Sequence, residues 1–180
     1  MKRLTLSAVI LNLVFGCVLA SAQGLPEDVQ KSMDYLTGNW TYEGAVGDAA
    51  VQGRVSIRWA PGNHCQIRNF TMWAKDAPDQ KVYGTAIFGY NAAKGHAIER
   101  AYWSDGKFSK TCYFNYASGA SGGVIEGERL LINGEERAEG TVRAERKSED
   151  EFIWTAKMEG GEEVKLHARR AARTDKAKSQ

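Results

Sequence analysis

Leu36-Thr37-Gly38-Asn39-Trp40-Thr41-Tyr42-Glu43-Gly44 is the stretch that decides the fold of this 180-residue chain. Ahead of it, apolar residues recur at i, i+4 and i+7 from Val29, and Pro26 suits the first position of a helix. A glycine then ends the helical pattern, and Trp40 opens an extended segment. The stretch therefore predicts a short N-terminal helix that leads directly into the first strand of a β structure.

The rest of the chain reads as strands separated by tight turns. Asp105-Gly106 and Asn133-Gly134 are strong hairpin signals, because both turn positions tolerate a positive φ. Consecutive strands joined in this way pair antiparallel, and about ten of them without an intervening helix close into a barrel or split into a sandwich. The candidate strands lie near residues 39–46, 52–60, 64–74, 80–90, 96–104, 107–117, 122–132, 135–146, 151–159 and 162–170.

Alternation within the strands predicts one wet face and one dry face. On the ninth strand one face holds Phe152, Trp154, Ala156 and Met158, and on the eighth strand a row of charges opposes a row of small apolar residues. That charged face argues against an outer-membrane barrel, since a charge at the bilayer midplane costs about 2–4 kcal/mol. We predict an all-β, antiparallel up-and-down barrel of about eight to ten strands with one short N-terminal helix. A helix-grip fold, the main alternative, needs a long C-terminal helix.

The N-terminus has the features of a secretory signal peptide. Lys2 and Arg3 precede an apolar run, and Ala20-Ser21-Ala22 is a small-x-small cleavage site. We predict a signal peptide over 1–22 with cleavage after Ala22, a barrel domain over 23–170 and a disordered basic tail over 171–180. The mature protein is then secreted or periplasmic, without an integral membrane span.

The charge balance argues against nucleic-acid binding. The full chain carries a net charge of +2, and loss of Lys2 and Arg3 leaves a neutral mature chain. Neutralisation of phosphates requires a basic face, which a neutral domain lacks.

Export places Cys65 and Cys112 in an oxidising compartment, where a disulfide persists. The two cysteines fall on the predicted third and sixth strands, which are not neighbours in a simple meander. The sequence leaves their pairing open.

The motif Gly38-Asn39-Trp40 resembles the G-x-W signature of lipocalins and related calycin barrels. Together with the segments 54–65, 84–95 and 102–106, it is similar to a bacterial family of exported, lipocalin-like domains of unknown function. The resemblance implies a barrel whose closed end is plugged by Trp40 after Gly38, with a basic residue of the last strand against the ring. Arg169 or Arg170 would be that residue. The resemblance implies no catalytic residues.

The chain has many large aromatic residues, which either fill the core or line a pocket. Arg100 and Tyr102 share one face of the fifth strand, while Ala97, Glu99, Ala101 and Trp103 share the other, and parity does not decide which points inward. An inward Arg100 would meet a ligand carboxylate. The candidate ligand-binding residues are Arg100, Tyr102, Trp59, Tyr83, Tyr116 and Trp154.

Catalytic and cofactor motifs are not evident in the sequence. The histidines have no metal-binding spacing, His167 is expected to point outward rather than to hold haem, and no nucleophile elbow or phosphate loop is present. The leading hypothesis is non-catalytic binding of a small apolar or amphipathic molecule, without a metal or cofactor. The alternatives are an enzyme that uses polar residues inside the barrel, with Glu126 or Glu128 as the acid or base, and a filled barrel that acts as an envelope interaction module.

Overall fold

The computed structural model describes residues 25–117, 124–133 and 136–172, so the predicted signal peptide and residues 173–180 of the predicted tail lie outside the described residues. The chain forms one helix, α1, and ten strands. These are α1 (Glu27–Leu36), β1 (Gly38–Val46), β2 (Ala49–Trp59), β3 (Cys65–Ala74), β4 (Lys81–Asn91), β5 (His96–Trp103), β6 (Phe108–Tyr113), β7 (Val124–Asn133), β8 (Glu136–Arg146), β9 (Glu151–Met158) and β10 (Glu163–Arg170).

The ten strands form a closed antiparallel barrel. Each strand pairs with the next one in the chain, and β1 pairs with β10 from Trp40 opposite Arg170 to Val46 opposite Val164. The predicted all-β up-and-down barrel with one short N-terminal helix is therefore confirmed. The helix-grip alternative is wrong, because the chain is still a strand at Arg170.

The alternation of the sequence matches the two faces of the wall. On β8, residues 137, 139, 141 and 143 are exposed while Val142 is buried, and on β2 Val55 and Ile57 are buried while Arg54 and Arg58 are exposed. Side chains of a strand alternate between faces, so the buried set points into the barrel.

Helix α1 lies over one mouth of the barrel. It presents Val29, Met33 and Leu36 to the interior, where all three are buried in one cluster with Trp40. Burial of each such side chain contributes about 1.5–3 kcal/mol. We call this end the capped half of the interior. The open half is the interior around Phe70, Met72, Trp103 and Met158, whose side chains are only half-buried.

Among the described residues, no helix has the length and apolar character required to cross a bilayer.

Candidate binding site in the barrel interior

Trp40 joins α1 to the barrel wall. Its ring is 1% exposed, and its indole Nε1 donates a hydrogen bond of 2.8 Å to the Leu36 carbonyl. The ring also makes edge contacts with Tyr35 and Phe152, at centroid distances of 5.7 and 5.0 Å. These contacts fix the helix over the capped half.

Of the two candidates for the basic residue against Trp40, Arg170 makes the contact and Arg169 does not. The Arg170 guanidinium lies 4.2 Å from the Trp40 ring centroid and donates to the carbonyls of Thr37 and Tyr35, each at 2.9 Å. Gly38 permits this approach: its φ is +133°, and a Cβ there would lie 2.8 Å from Arg170 Nη1. Arg169 instead lies on the outer face.

A polar relay runs from α1 to the centre of the barrel. Gln66 Nε2 donates to the Met33 carbonyl at 2.7 Å and to Thr37 Oγ1 at 2.9 Å. Arg68 then donates to Gln66 Oε1 at 3.1 Å and to Glu99 Oε2 at 2.7 Å. The Arg68 and Glu99 side chains are only 9% and 14% exposed, so the pair is largely desolvated. Its charges are stable there because each has its partner.

Aromatic rings surround this relay. The Arg68 guanidinium stacks 3.7 Å from the centroid of Phe88, which also contacts Tyr113 at 5.7 Å and Tyr116 at 4.9 Å. Burial raises the pKa of Tyr116 to about 12 and raises that of Tyr113 well above its ordinary value. Both phenols are therefore neutral hydrogen-bonding groups at physiological pH.

Arg129 is the second cation of the central interior. It shares its face of β7 with the buried residues Ile125 and Gly127, and its guanidinium lies 5.7 Å from the centroid of the Trp154 ring. No hydrogen bond or ion pair joins Arg129 to another residue in the described part of the chain. Its register partners are small, with Thr111 on β6 and Gly140 on β8.

Three polar atoms of the interior are buried without a hydrogen bond of good geometry among the described residues. They are Arg68 Nε, Trp103 Nε1 and the Tyr116 hydroxyl, which lies near Ser32 and Arg68. Arg68 Nε and Trp103 Nε1 act only as donors, and the hydroxyl can donate or accept. A buried donor without an acceptor costs about 1–3 kcal/mol, which a bound acceptor would recover.

Trp103 belongs to the open half. Its ring stacks on Phe70 with a centroid distance of 5.4 Å and an interplanar angle of 21°. The ring also covers Gly84, where a Cβ would lie only 2.8 Å from it. The open half thus contains a stacked pair of half-buried aromatic rings.

The structure divides the six predicted ligand-binding residues equally between interior and exterior. Tyr116 and Trp154 face the interior, as does Trp59, whose Nε1 donates to Asp34 of α1 at 2.9 Å. Arg100, Tyr102 and Tyr83 lie on the outer face, and both tyrosines are more than half exposed. The inward orientation considered for Arg100 is wrong, because the inward face of β5 is the one with Ala97, Glu99, Ala101 and Trp103.

Cys65 and Cys112 are free thiols. Cys65, Gly89, Ile98 and Cys112 form one row across β3 to β6, so the cysteines are three strand spacings apart. At about 4.8 Å per spacing, this separation is roughly 14 Å, about twice the largest Cα separation that a disulfide spans.

The outer wall has two different parts. The outward positions of β3–β6 hold Lys81, Arg100 and Lys110 but no carboxylate. The exposed large apolar residues of the described chain lie on these strands or directly after β6, and they are Tyr83, Ile87, Tyr102 and Phe114. We call this surface the basic apolar wall. The opposite wall carries ion pairs such as Arg169–Glu43 and Arg143–Glu126, and two open depressions of about 280 and 450 Å³.

Glu126 and Glu128 are also exposed on the outer wall, as is the face of β10 that carries His167. The described residues contain no cluster of three or more histidine, cysteine, aspartate or glutamate side chains placed to hold a metal ion.

Sequence reasoning did not select Arg68, Glu99 and Arg129. Each of these charged residues stands among apolar or small residues on the inward face of its strand. The alternation of polar and apolar residues, from which the inward face is predicted, is therefore less clear on these strands. On β5, Ala97 and Ala101 share a face with Glu99 and are buried. These two small apolar residues are the sequence feature that could have identified this face as the inward one.

No protein-family model matches the chain, and no curated protein matches it. Among solved structures, the chain is similar to a de novo designed fluorescence-activating β-barrel at 17% identity, with 78% of this chain and 98% of the design covered and a TM-score of 0.46. It is also similar to the redesigned barrel mFAP1 bound to DFHBI, at 12% identity, with 78% and 99% covered and a TM-score of 0.42. At TM-scores below 0.5 these likenesses carry no inference about function, and the architecture rests on the strand pairing itself. The comparisons do not assign the chain to the lipocalins or to the exported family that its motifs resemble.

Proposed function

We propose that this protein is an exported, non-catalytic binding protein that holds a small, partly apolar molecule in the open half of its barrel. The observation that carries the proposal is the buried donor Trp103 Nε1, which has no acceptor among the described residues and lies in the stacked aromatic pair of Trp103 and Phe70 in the open half. Binding sites of this kind combine apolar walls with a few polar groups that orient the ligand. The ligand reaches the site from the mouth opposite α1.

Two features support an exported, lipocalin-like origin for this container. Gly38-Asn39-Trp40 stands at the start of β1, and Arg170 of the last strand packs against Trp40.

The leader-like sequence before Gln23 supports export, with cleavage after Ala22. N-terminal sequencing of the protein recovered from a cell envelope tests the cleavage: a first residue other than Gln23 would contradict it.

Binding is favoured over catalysis because Glu99, the carboxylate of the described interior, is already paired with Arg68. Glu99 accepts from Arg68 at 2.7 Å, whereas Glu126 and Glu128, the acids that an enzyme hypothesis requires, lie on the outer wall. A general base must reach the proton that it abstracts, and an ion-paired carboxylate inside a relay has little freedom to do so.

Titration with the neutral fluorescent probe N-phenyl-1-naphthylamine tests the proposal. The wild-type protein is expected to bind it with enhanced fluorescence, and Ala138→Trp, which fills the interior, is expected to abolish that binding. Glu139→Trp is the matched control, because the neighbouring residue points outward and should leave binding unchanged. Circular dichroism checks the fold of both variants. A wild-type protein that binds no probe, or two variants that behave alike, would contradict the proposal.

A second candidate function is docking at an anionic membrane surface through the basic apolar wall. Its three cations, without a carboxylate on the outward positions of the same strands, complement anionic lipid head groups, and exposed tyrosines suit a membrane interface. Self-association of two copies through this wall is less favourable, because it would place the cations of one copy, such as Arg100 and Lys110, against the same cations of the other.

Cosedimentation with vesicles tests this candidate. Binding is expected to vesicles of phosphatidylglycerol but not of phosphatidylcholine, and Arg100→Glu is expected to weaken it. Arg143→Glu, the same change on the opposite wall, should have a smaller effect. Equal binding to both vesicle types, or no binding to either, would contradict membrane docking, and a dimer that Arg100→Glu disrupts would indicate self-association instead.

A further inference from the structure

The interior of the barrel has one positive charge more than its own side chains neutralise. Arg68 and Arg129 face the central interior, but Glu99 is the one carboxylate there among the described residues. We infer that the bound molecule carries an acidic group and that Arg129 binds it. This inference rests on the proposed function and names the class of ligand: an organic acid with an apolar body.

Arg68 is not the free cation. Its two terminal nitrogens are used by Glu99 and Gln66, and its plane is stacked on Phe88. The Arg68–Glu99 pair is neutral as a unit and is tied to α1 through Gln66. An acid placed beside this pair would meet the Glu99 carboxylate. Arg129 lies in the same row of the wall as Glu99, with Thr111 between them, so an acid bound at Arg129 would approach from the side of the open mouth, away from Glu99.

Arg129 has what an acid-binding residue needs. Its guanidinium contacts the Trp154 ring and has no hydrogen-bond acceptor within the described residues. A guanidinium has five donors in a planar fork that matches a carboxylate in a bidentate geometry. Because it sits inside a barrel wall rather than in bulk water, an anionic partner there is screened less by salt than a surface pair.

The surroundings of Arg129 leave access to the guanidinium. In its own row Arg129 is flanked by Thr111 and Gly140, and the row nearer the open mouth holds Leu131 of β7 between Ser109 and Ala138. The four residues that the adjacent strands place in these two rows are small, so no large side chain from those strands stands there. An acid head group at Arg129 would extend its apolar body along this side toward the open half and Trp103.

The unpartnered donor of the open half agrees with the same chemistry. Trp103 Nε1 is buried without an acceptor among the described residues. A ligand rich in acceptor oxygens satisfies donors, whereas an amine or ammonium ligand would add donors to an interior that already has too many. The interior therefore favours carboxylates and sulfonates over cations.

A pair of probes that differ by one acidic group tests the inference. 1-Anilinonaphthalene-8-sulfonate has the ring system of N-phenyl-1-naphthylamine with a sulfonate added. Wild-type protein is expected to bind the sulfonate at least about 10-fold more tightly than the neutral probe, as one charge-assisted interaction provides. Arg129→Gln should remove this preference while leaving the affinity for the neutral probe within about 2-fold, and Arg129→Lys should keep part of it.

Arg100→Gln is the matched control, because it removes a cation from the outer wall by the same substitution. It should leave the sulfonate preference unchanged, and the preference should persist in roughly 0.5 M salt, where surface attraction is screened. Decanoate and decanol, measured by calorimetry, repeat the comparison for an aliphatic acid and decide between an aromatic and an aliphatic body.

The outcomes separate the two proposals. Binding of neither probe overturns the container function, and the acid site with it. Binding of the neutral probe without a preference for the sulfonate, or a preference that survives Arg129→Gln, overturns the acid site alone and leaves the container intact. A preference that Arg100→Gln or salt abolishes places the acid on the outer wall and also overturns the inference. The wild-type comparison needs no variant, so a misfolded Arg129→Gln protein would not prevent the test.

Discussion

The capped and open halves of the same barrel are built on different principles. In the capped half, Met33 and Trp40 are almost completely buried, and the backbone groups at the end of α1 are satisfied by Trp40, Gln66 and Arg170. In the open half, large side chains such as Trp103 are half-buried, and its indole donor has no acceptor among the described residues. One half therefore provides stability, and the other retains unsatisfied groups that a ligand can use.

The largest expected effect contrasts a tryptophan from each half. Trp40→Ala should lower the free energy of unfolding by about 3–5 kcal/mol, since it leaves a cavity under α1 and removes the bond to Leu36. Trp103→Ala should cost about 1–2 kcal/mol, because its ring is already partly in water. Urea denaturation measures both changes. Equal losses would erase the distinction between the halves.

The junction between the halves is the Arg68–Glu99 pair. Glu99→Ala should lower the free energy of unfolding by about 3 kcal/mol, because it leaves the buried Arg68 cation without its partner. Glu126→Ala, which removes an exposed carboxylate 3.6 Å from Arg143, should change stability by about 0–1 kcal/mol. A similarly small loss for Glu99→Ala would show that water reaches Arg68 freely.

Adjacent arginines of β10 provide a sharper contrast at the capped end. Arg170→Ala should destabilise the protein by about 2 kcal/mol, because it leaves the Thr37 and Tyr35 carbonyls without a donor. Arg169→Ala removes exposed pairs with Glu43 and Glu151 and should cost about 0–1 kcal/mol. Thermal unfolding followed by circular dichroism compares the two variants. A larger loss of stability for Arg169→Ala than for Arg170→Ala would indicate that Arg169, and not Arg170, supports Trp40 at the capped end.

Alkaline pH should weaken the capped half through Tyr116. Its pKa is raised from 10.0 to about 12 by burial, so the folded state keeps the phenol proton that the unfolded chain loses first. The resulting stability is complete below about pH 10 and falls by about 1.4 kcal/mol per pH unit between about pH 10 and about 12.

Urea denaturation at several pH values, in wild type and Tyr116→Phe, isolates this contribution. The variant should show a shallower fall above about pH 10, because it has no phenol proton to lose. Tyr83→Phe is the control, because that ring is exposed. Parallel pH profiles for wild type and Tyr116→Phe would mean that water reaches the phenol.

The sequence predicts the barrel well because its signals are local. Hairpin turns, the alternation on β2, β8 and β9, and the helix before Gly38 each act over a few residues, and together they leave little choice of topology. The choice between Arg169 and Arg170 depends on one step of register at the end of β10. Sequence alone does not determine that step, because both neighbours are arginine.

The interior site is less predictable for a physical reason. A polar residue inside a barrel produces the same local pattern as a polar residue on a wet face, so Arg68 and Arg129 are indistinguishable from surface cations until the strands are in register. Conversely, Tyr102 and Tyr83 look like pocket residues from composition but lie on the basic apolar wall. The free cysteines follow from topology in the same way, since the row from Cys65 to Cys112 exists only after four strands have paired.

The most direct test of the container function uses the five tryptophans as reporters. Each gives one indole N–H signal in a ¹⁵N-correlated NMR spectrum, assigned by single Trp→Phe variants. Trp40 and Trp59 lie in the capped half with bonded indoles, Trp103 and Trp154 face the central and open interior, and Trp73 lies on the outer wall. On addition of N-phenyl-1-naphthylamine, the signals of Trp103 and Trp154 should shift while the other three remain in place. A shift confined to Trp73, or no shift at saturating probe, would contradict binding in the open half of the barrel.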